Sequence, residues 1–259
     1  PRGSSESCLG EILGDRRKDI VLATKFARPM DASGRFEGAS RRYIIAQIEA
    51  SLRRLKTDWI DLYQQHQPDP HTPIEETLRA LDDLVRQGKV RYIGCSTLPA
   101  WQVVEAQWTA KYNGLHHFVS CQEEYSLLAR RLDHEMMPML EAYSLGLIPF
   151  APLANGLLTG KYKHNMPLPD GARLSYMQRA ASRYLTNDNW VIVELLEGFA
   201  AERGHSLLEL AVGWLAQRPQ VASVIAGATR SEQVEANVRA AGWALTDEDM
   251  REIDRLTVG

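Results

Sequence analysis

Cysteine is scarce. Cys8, Cys95 and Cys121 are the only three in 259 residues, and thiols so few and so scattered exclude a disulfide framework and a structural zinc site. Cys95 and Cys121 fall in apolar runs, so buried thiols are expected, as suits a reducing cytosol. Neither sign of charge dominates: 30 Lys and Arg face 33 Asp and Glu, a formal net charge of −3. That removes the electrostatic reason to expect nucleic acid or an anionic membrane as partner. No apolar run is long enough to span a bilayer, and no signal-peptide pattern is recognisable, so a cytoplasmic setting is expected. Metal spacing is missing too: His134-Glu135 has no second histidine at helical spacing, and His116-His117 would face opposite sides of a strand. Finally, no Gly-x-Gly-x-x-Gly follows a strand, so the dinucleotide-binding open sheet lacks its main signature.

What is present is a rhythm of strands and helices. The stretch Trp59–His66 begins as a short apolar strand and ends on a histidine before a proline-bearing turn, the pattern of a buried parallel strand. Ile20–Phe26 reads as a second strand with Lys25 near its end. Val90–Cys95, Phe118–Gln122, Leu147–Phe150 and Val221–Ile225 make about six strands. Between them lie helices over Glu6–Gly14 (after an opening loop, Pro1–Ser7), Arg41–Leu55 capped by Ser40, Thr72–Gly88, Trp101–Tyr112 and Glu135–Leu145. Thr72 looks like a cap followed by Pro73 and Glu75. After Phe150 the rhythm breaks: Ala151–Thr186 is long, rich in glycine and proline, and reads as a functional loop. Helices over Asn189–Arg203, Ser206–Arg218, Ser231–Ala241 and Thr246–Leu256 close the chain, with Ser206 and Glu209 placed as a capping box.

Alternating strands and helices predict parallel strands with right-handed crossovers. The expected fold is α/β, a (β/α)8 TIM barrel forming one domain over residues 1–259. A barrel needs about eight strands, so the first one or two βα units, roughly fifty residues or more, are expected to lie ahead of Pro1. Chemistry in such barrels sits where strands end, and Lys25 and His66 are ionisable groups at two strand ends.

Several segments, in order, carry a likeness to a known family: Ser-Ser-Glu-Ser-Cys-Leu-Gly at 4–10, Ala-Thr-Lys-Phe at 23–26, Asp-Leu-Tyr-Gln-Gln-His at 61–66 and Gly-Lys-Val-Arg-Tyr-Ile-Gly-Cys-Ser at 88–96. Gln-Glu-Glu-Tyr-Ser at 122–126, Pro-Leu-Ala-Asn-Gly-Leu-Leu-Thr-Gly-Lys-Tyr at 152–162 and Gly-Ala-Thr-Arg-Ser-Glu-Gln-Val-Glu-Ala-Asn at 227–237 continue it. From Ser4 to Leu256 the chain resembles the aldo-keto reductases. The resemblance implies a barrel that transfers hydride from NADP(H) to an aldehyde or ketone, with an Asp-Tyr-Lys-His set. Lys25 and His66 match the lysine and histidine; the aspartate and tyrosine belong to a strand ahead of the segment matching Arg2–Gly10.

The resemblance also implies a cofactor site. Ser96 and Gln122 match the residues that hold the nicotinamide carboxamide, which needs both a donor and an acceptor; the family's usual asparagine after the serine is Thr97 here. Phe150 matches an aromatic ring that stacks on the nicotinamide. Leu153, Asn155, Gly156, Leu157 and Lys161 match a pyrophosphate belt, with Arg173 near the adenosine phosphates. Thr229, Arg230 and Ser231 suit a 2′-phosphate, Gly227 just before them belongs to the same cofactor-binding segment, and Gln233 and Asn237 match adenine-facing positions. Proline is frequent in the family at Ala226 and glutamate at Ala236. Substrate is expected from the loops 27–39, 67–72 and 163–186, where Met166, Leu168, Tyr176 and Met177 could line an apolar pocket. The partner implied is a small carbonyl compound; the oligomeric state stays open. Two other readings remain: an NADPH-binding, redox-responsive regulatory subunit, and a barrel that forms a Schiff base on Lys25.

Overall fold

A computed structural model describes residues 3–30 and 37–257. Residues 1–2, part of the expected opening loop, and residues 31–36, part of the loop 27–39, lie outside the described residues. The contacts divide the chain into two compact units, one of residues 1–122 and 139–146, the other of residues 123–138 and 147–259.

The first unit holds strands β1 (Ala23–Phe26), β2 (Ile60–Gln65), β3 (Val90–Ser96) and most of β4 (Phe118–Glu124), all parallel and in chain order. Every residue of β2 is buried, as a strand flanked on both edges and covered on both faces must be. Register brings Lys25 beside Gln64 and Ser96 beside Gln122. β1 starts at Ala23, three residues later than expected, because Ile20 and Val21 are exposed and find no ladder.

Helices α1 (Ser4–Ile12), α2 (Arg41–Leu55), α3 (Ile74–Arg86) and α4 (Ala100–Asn113) pack in succession. α2 keeps its expected bounds, with Ser40 Oγ accepting from the Tyr43 N–H at 3.4 Å. In α1 the apolar Ile12 is exposed and Gly10 is the buried contact. A Cβ at Gly10 would lie 2.2 Å from the Arg54 carbonyl oxygen, so α1 docks by backbone, reinforced by Glu6 to Arg54 Nε at 2.6 Å. The Thr72 cap also gives way. Pro73 is the residue before α3, and Thr72 Oγ1 instead donates to Asp69. Asp69 also accepts from the Ala39 and His71 N–H groups, a local competitor for the hydroxyl.

Under the sheet, Arg17 anchors the start of β2. Its guanidinium meets Asp61 at 2.8 Å and the Trp59 carbonyl at 2.7 Å, and lies 4.5 Å from the Trp59 ring centroid. Cys95 and Cys121 are buried in register on β3 and β4 with sulfurs 3.5 Å apart, whereas Cys8 is exposed.

The second unit contains the end of β4, β5 (Gly146–Phe150 from its second residue), and helices α8 (Asn187–Glu202), α9 (Leu207–Ala216), α10 (Ser231–Ala240) and α11 (Asp247–Thr257). α5 (Met136–Ala142) passes from one unit to the other and is shorter than expected. The capping box on α9 is formed by Ser206 and Glu209. Val221–Ile225 runs beside β5, with Ala222 and Ile225 N–H groups donating to Leu147 and Pro149 carbonyls at 2.9 and 3.1 Å. It is an isolated parallel bridge at Val221 and not a regular strand, so among the described residues five strands stand where about six were expected.

The segment after β5 is not structureless. A 3-10 stretch covers Ala154–Thr159, and α6 (Arg173–Tyr176) and α7 (Gln178–Tyr184) follow. α7 is held to the end of β4 because Glu124 accepts from Tyr184 Oη and from Arg183 Nη2. Tyr162, buried, accepts from the Leu174 N–H at 3.1 Å. Met166, Tyr176 and Met177 are exposed and Leu168 half-buried.

Candidate active site

In the first unit, β1 and β2 end at the same level because of their register, and the His66 N–H donates to the Phe26 carbonyl at 3.0 Å. At this end lies a cavity of about 390 Å³ whose walls include Lys25, Phe26, Arg28, Met30, Gln47 and His66. The two groups singled out in the sequence therefore share one pocket. Arg28, which the sequence reading did not single out, lines it with them. It follows Ala27, whose φ of 86° lies in the left-handed region that residues with a Cβ seldom adopt. That turn ends β1 and sets Arg28 on the cavity wall.

Burial and the Arg28 guanidinium both lower the Lys25 ammonium from its ordinary value. His66 is lowered to about 4, first by burial and then by the charges of Arg28 and Lys25. Near pH 7 His66 is thus a neutral imidazole, with a nitrogen that donates and one that accepts. Its carbonyl accepts from Thr97 Oγ1 at 3.2 Å, and the Thr97 N–H donates to the Gln122 carbonyl at 3.3 Å. Thr97 links the His66 end of β2 to the Ser96–Gln122 pair. Its φ of 56° is left-handed, a conformation that asparagine, the residue frequent in the family here, adopts more readily than a β-branched side chain.

Ser96 and Gln122 are both buried, and Gln122 Oε1 is enclosed without a hydrogen-bond partner among the described residues. An orphaned buried acceptor costs stability unless a ligand supplies a donor. A carboxamide NH2 is such a donor, so the pair fits the nicotinamide end of a dinucleotide.

In the second unit, the expected pyrophosphate belt is a set of unusual backbone conformations. Ala154, Asn155 and Gly156 have φ of 47°, 56° and 98°, and the Leu153 carbonyl accepts from the Gly156 and Leu158 N–H groups. A Cβ on Gly156 would stand 2.9 Å from Lys161 Nζ, so the ammonium rests against bare backbone. Lys161 is lowered by burial and by the charges of Arg173 and Arg230. Two arginines named from the sequence are therefore close enough to act on Lys161, an arrangement that favours a polyanion. Leu157 is fully buried, so its side chain is packing and only its backbone could face a ligand. Phe150 is half-buried, its carbonyl accepting from the Tyr125 N–H.

Thr229 and Gln233 meet each other: Gln233 Oε1 accepts from the Thr229 N–H at 2.7 Å and from Oγ1 at 3.2 Å. Gly227 is exposed, with open space around its Cα, and Asn237 is half-buried on α10. Among the described residues, no group of three or more His, Cys, Asp or Glu could hold a metal ion. No described helix is long and apolar enough to cross a membrane.

Parallel strands alternating with helices, and a lysine and a histidine at adjoining strand ends, give an α/β fold with a pocket where two strands end. The chain belongs to the aldo/keto reductase family, whose fold is a (β/α)8 barrel: the family's model matches residues 1–258. Among its relatives, a probable voltage-gated potassium channel subunit beta of Oryza sativa subsp. japonica is 37% identical over 247 residues, 92% of this chain and 74% of that protein. The L-glyceraldehyde 3-phosphate reductase of Escherichia coli O157:H7 is 33% identical over 268 residues, 98% of this chain and 76% of the relative. Versiconal hemiacetal acetate reductase of Aspergillus parasiticus is 31% identical over 274 residues, 97% of this chain and 78% of the relative.

Proposed function

We propose that the protein reduces an aldehyde or ketone to the alcohol with NADP(H). The observation that carries this reading is the convergence of Lys25 and His66 on one cavity. NADPH, when bound, supplies the hydride. Ser96 and Gln122 hold its carboxamide, Phe150 offers a ring face to the nicotinamide, and the backbone at Leu153, Asn155, Gly156 and Leu157 faces the pyrophosphate. Lys161, Arg173 and Arg230 attract the phosphates. Gly227 and Thr229, beside Arg230, border the 2′-phosphate, while Gln233 and Asn237 face the adenine. Arg230 at the start of α10 favours the 2′-phosphorylated cofactor, since a helix N-terminus and a guanidinium both suit a phosphate.

The chain's own part in the chemistry follows from charge. Reduction builds negative charge on the carbonyl oxygen, so groups that favour charge there in advance lower the barrier. Neutral His66 donates a hydrogen bond that orients that oxygen. The Lys25 ammonium stabilises developing negative charge at the oxygen or at the acid that protonates it.

The test pairs two readouts. NADPH fluorescence titration reports cofactor binding, and absorbance at the reduced-nicotinamide band reports turnover on a panel of aldehydes and ketones. Lys25→Met and His66→Asn are expected to lower kcat by about 10²–10⁴-fold with NADPH affinity nearly kept. Turnover unchanged in both variants would remove these residues from the mechanism. A second reading, an NADPH-binding regulatory subunit with little turnover, is favoured by the potassium channel β-subunit relative. It predicts tight NADPH binding with no substrate in the panel reduced above background.

A further inference from the structure

The cavity at the ends of β1 and β2 is one-sided in charge. Lys25, Arg28 and His66 line it, Phe26 and Met30 give it apolar wall, and no carboxylate is among its described lining residues. The Arg28 guanidinium makes no ion pair with any described residue, although the surface elsewhere is laced with them. Its placement is nevertheless built. Ala27 turns left-handed, the Gly38 N–H donates to the Ala27 carbonyl at 2.9 Å, and buried Tyr43 donates from Oη to the Arg28 carbonyl at 2.6 Å. Two backbone bonds and a strained turn hold the Arg28 main chain at the cavity rim, an arrangement that simple solvation of a surface arginine does not require.

A cation held beside two other basic groups raises the cost of each: burial is the larger cause of the depressed Lys25 and His66, and the Arg28 charge adds to it in both. A ligand carrying negative charge would relieve all three. The planar guanidinium suits a carboxylate or phosphate because it can present two parallel N–H donors. We propose that Arg28 recognises an anionic group, a carboxylate or a phosphate, on the carbonyl substrate whose oxygen His66 orients. The reductase thereby selects charged carbonyl compounds over neutral ones of the same shape. This specificity rests on the reductase reading; the anion site itself does not.

The test compares matched substrates. 4-Carboxybenzaldehyde is set against benzaldehyde, and glycolaldehyde phosphate against glycolaldehyde, in the wild type, Arg28→Gln and Arg28→Lys. The wild type is expected to favour the charged member of at least one pair by about 10–100-fold in kcat/KM, the range of a charge-assisted hydrogen bond. Arg28→Gln should bring that ratio to within about threefold of unity. Arg28→Lys should keep more of it for phosphate, which accepts a point charge, than for carboxylate, which rewards the planar fork. The pair that shows the preference identifies the anion. A ratio unchanged in Arg28→Gln, or a wild type that prefers the neutral member of both pairs, overturns the proposal.

Calorimetric titration with the product alcohols 4-(hydroxymethyl)benzoate and benzyl alcohol, alone and with NADPH, with which they cannot react, separates the two readings. If no carbonyl is reduced, the reductase reading fails. Binding of the benzoate that is lost in Arg28→Gln and weakened by added salt still upholds the anion site. Equal binding in both proteins, or none in either, removes it.

Discussion

Arg17→Met tests what holds β2 in place. The wild-type guanidinium meets Asp61 Oδ2 at 2.8 Å, the Trp59 carbonyl at 2.7 Å and Thr57 Oγ1 at 3.1 Å, with the Arg17 and Asp61 side chains only 9% and 11% exposed. Removal leaves the Asp61 carboxylate the Leu22 N–H at 3.0 Å, Trp59 Nε1 at 3.2 Å and a more distant Arg91 at 3.6 Å. Breaking one side of a buried pair costs about 3–5 kcal/mol, and the surviving partners put this case near ~3. For a chain of this size that is roughly 6–12 °C in Tm. Urea unfolding read by tryptophan fluorescence gives the midpoint, and hydrogen exchange at the Leu62 and Gln64 amides localises the loss to the β1–β2 ladder. The double variant Arg17→Met with Asp61→Leu should recover about half of the deficit, because it removes the stranded charge as well. A single-variant loss below ~1 kcal/mol, or a double variant as unstable as the summed singles, would refute the claim that the pair anchors the strand.

Other consequences can be measured alongside. Burial pushes Asp82 up, but Arg86 and His116 outweigh it and hold the carboxyl at about 2. A folded value below the unfolded one means its contribution, at most ~2 kcal/mol, is complete above about pH 4. It is lost as pH falls toward 2, so Asp82→Asn should flatten the acid limb of stability. For His66, lowered to about 4, the unfolded chain takes up the proton first as pH falls below about 6.5. Stability drops from there to about 4 and levels off below; His66→Gln should remove that slope, and NMR titration of the ring should find it neutral at pH 6. Gln122→Ala should weaken NADPH binding about tenfold if Oε1 is the carboxamide acceptor. Gly156→Ala should cost ~1 kcal/mol or more of stability because φ is 98° there, and should weaken NADPH binding by displacing Lys161.

Elements with long periodic faces were legible in the sequence, and α2 matched residue for residue because Ser40 and the Ile44–Ile48–Leu52 stripe specify both its start and its buried side. Boundaries set by tertiary contact were not. β1 begins only where β2 is there to pair with it, and the first helix docks through Gly10, a residue invisible to an apolar pattern. α6 and α7 are four and seven residues long, too short for a periodic signal amid glycine and proline. Lys25 and His66 stood out because they follow apolar strands. Arg28 did not, since its position depends on a left-handed turn at an alanine that no turn signature marks. A turn of that kind can be inferred only from the Gly38 and Tyr43 partners that hold it.

The three thiols form an internal clock for unfolding. Cys8 is open to solvent while Cys95 and Cys121 are sealed between β3 and β4 and what covers them. A maleimide or similar alkylating reagent should therefore modify one site per chain at once and the other two together, at the rate at which that part of the sheet opens. Mass spectrometry then counts open molecules directly, a +1 population giving way to +3 with little +2. A stabilising ligand or a damaging substitution can be ranked by how far it delays that second step.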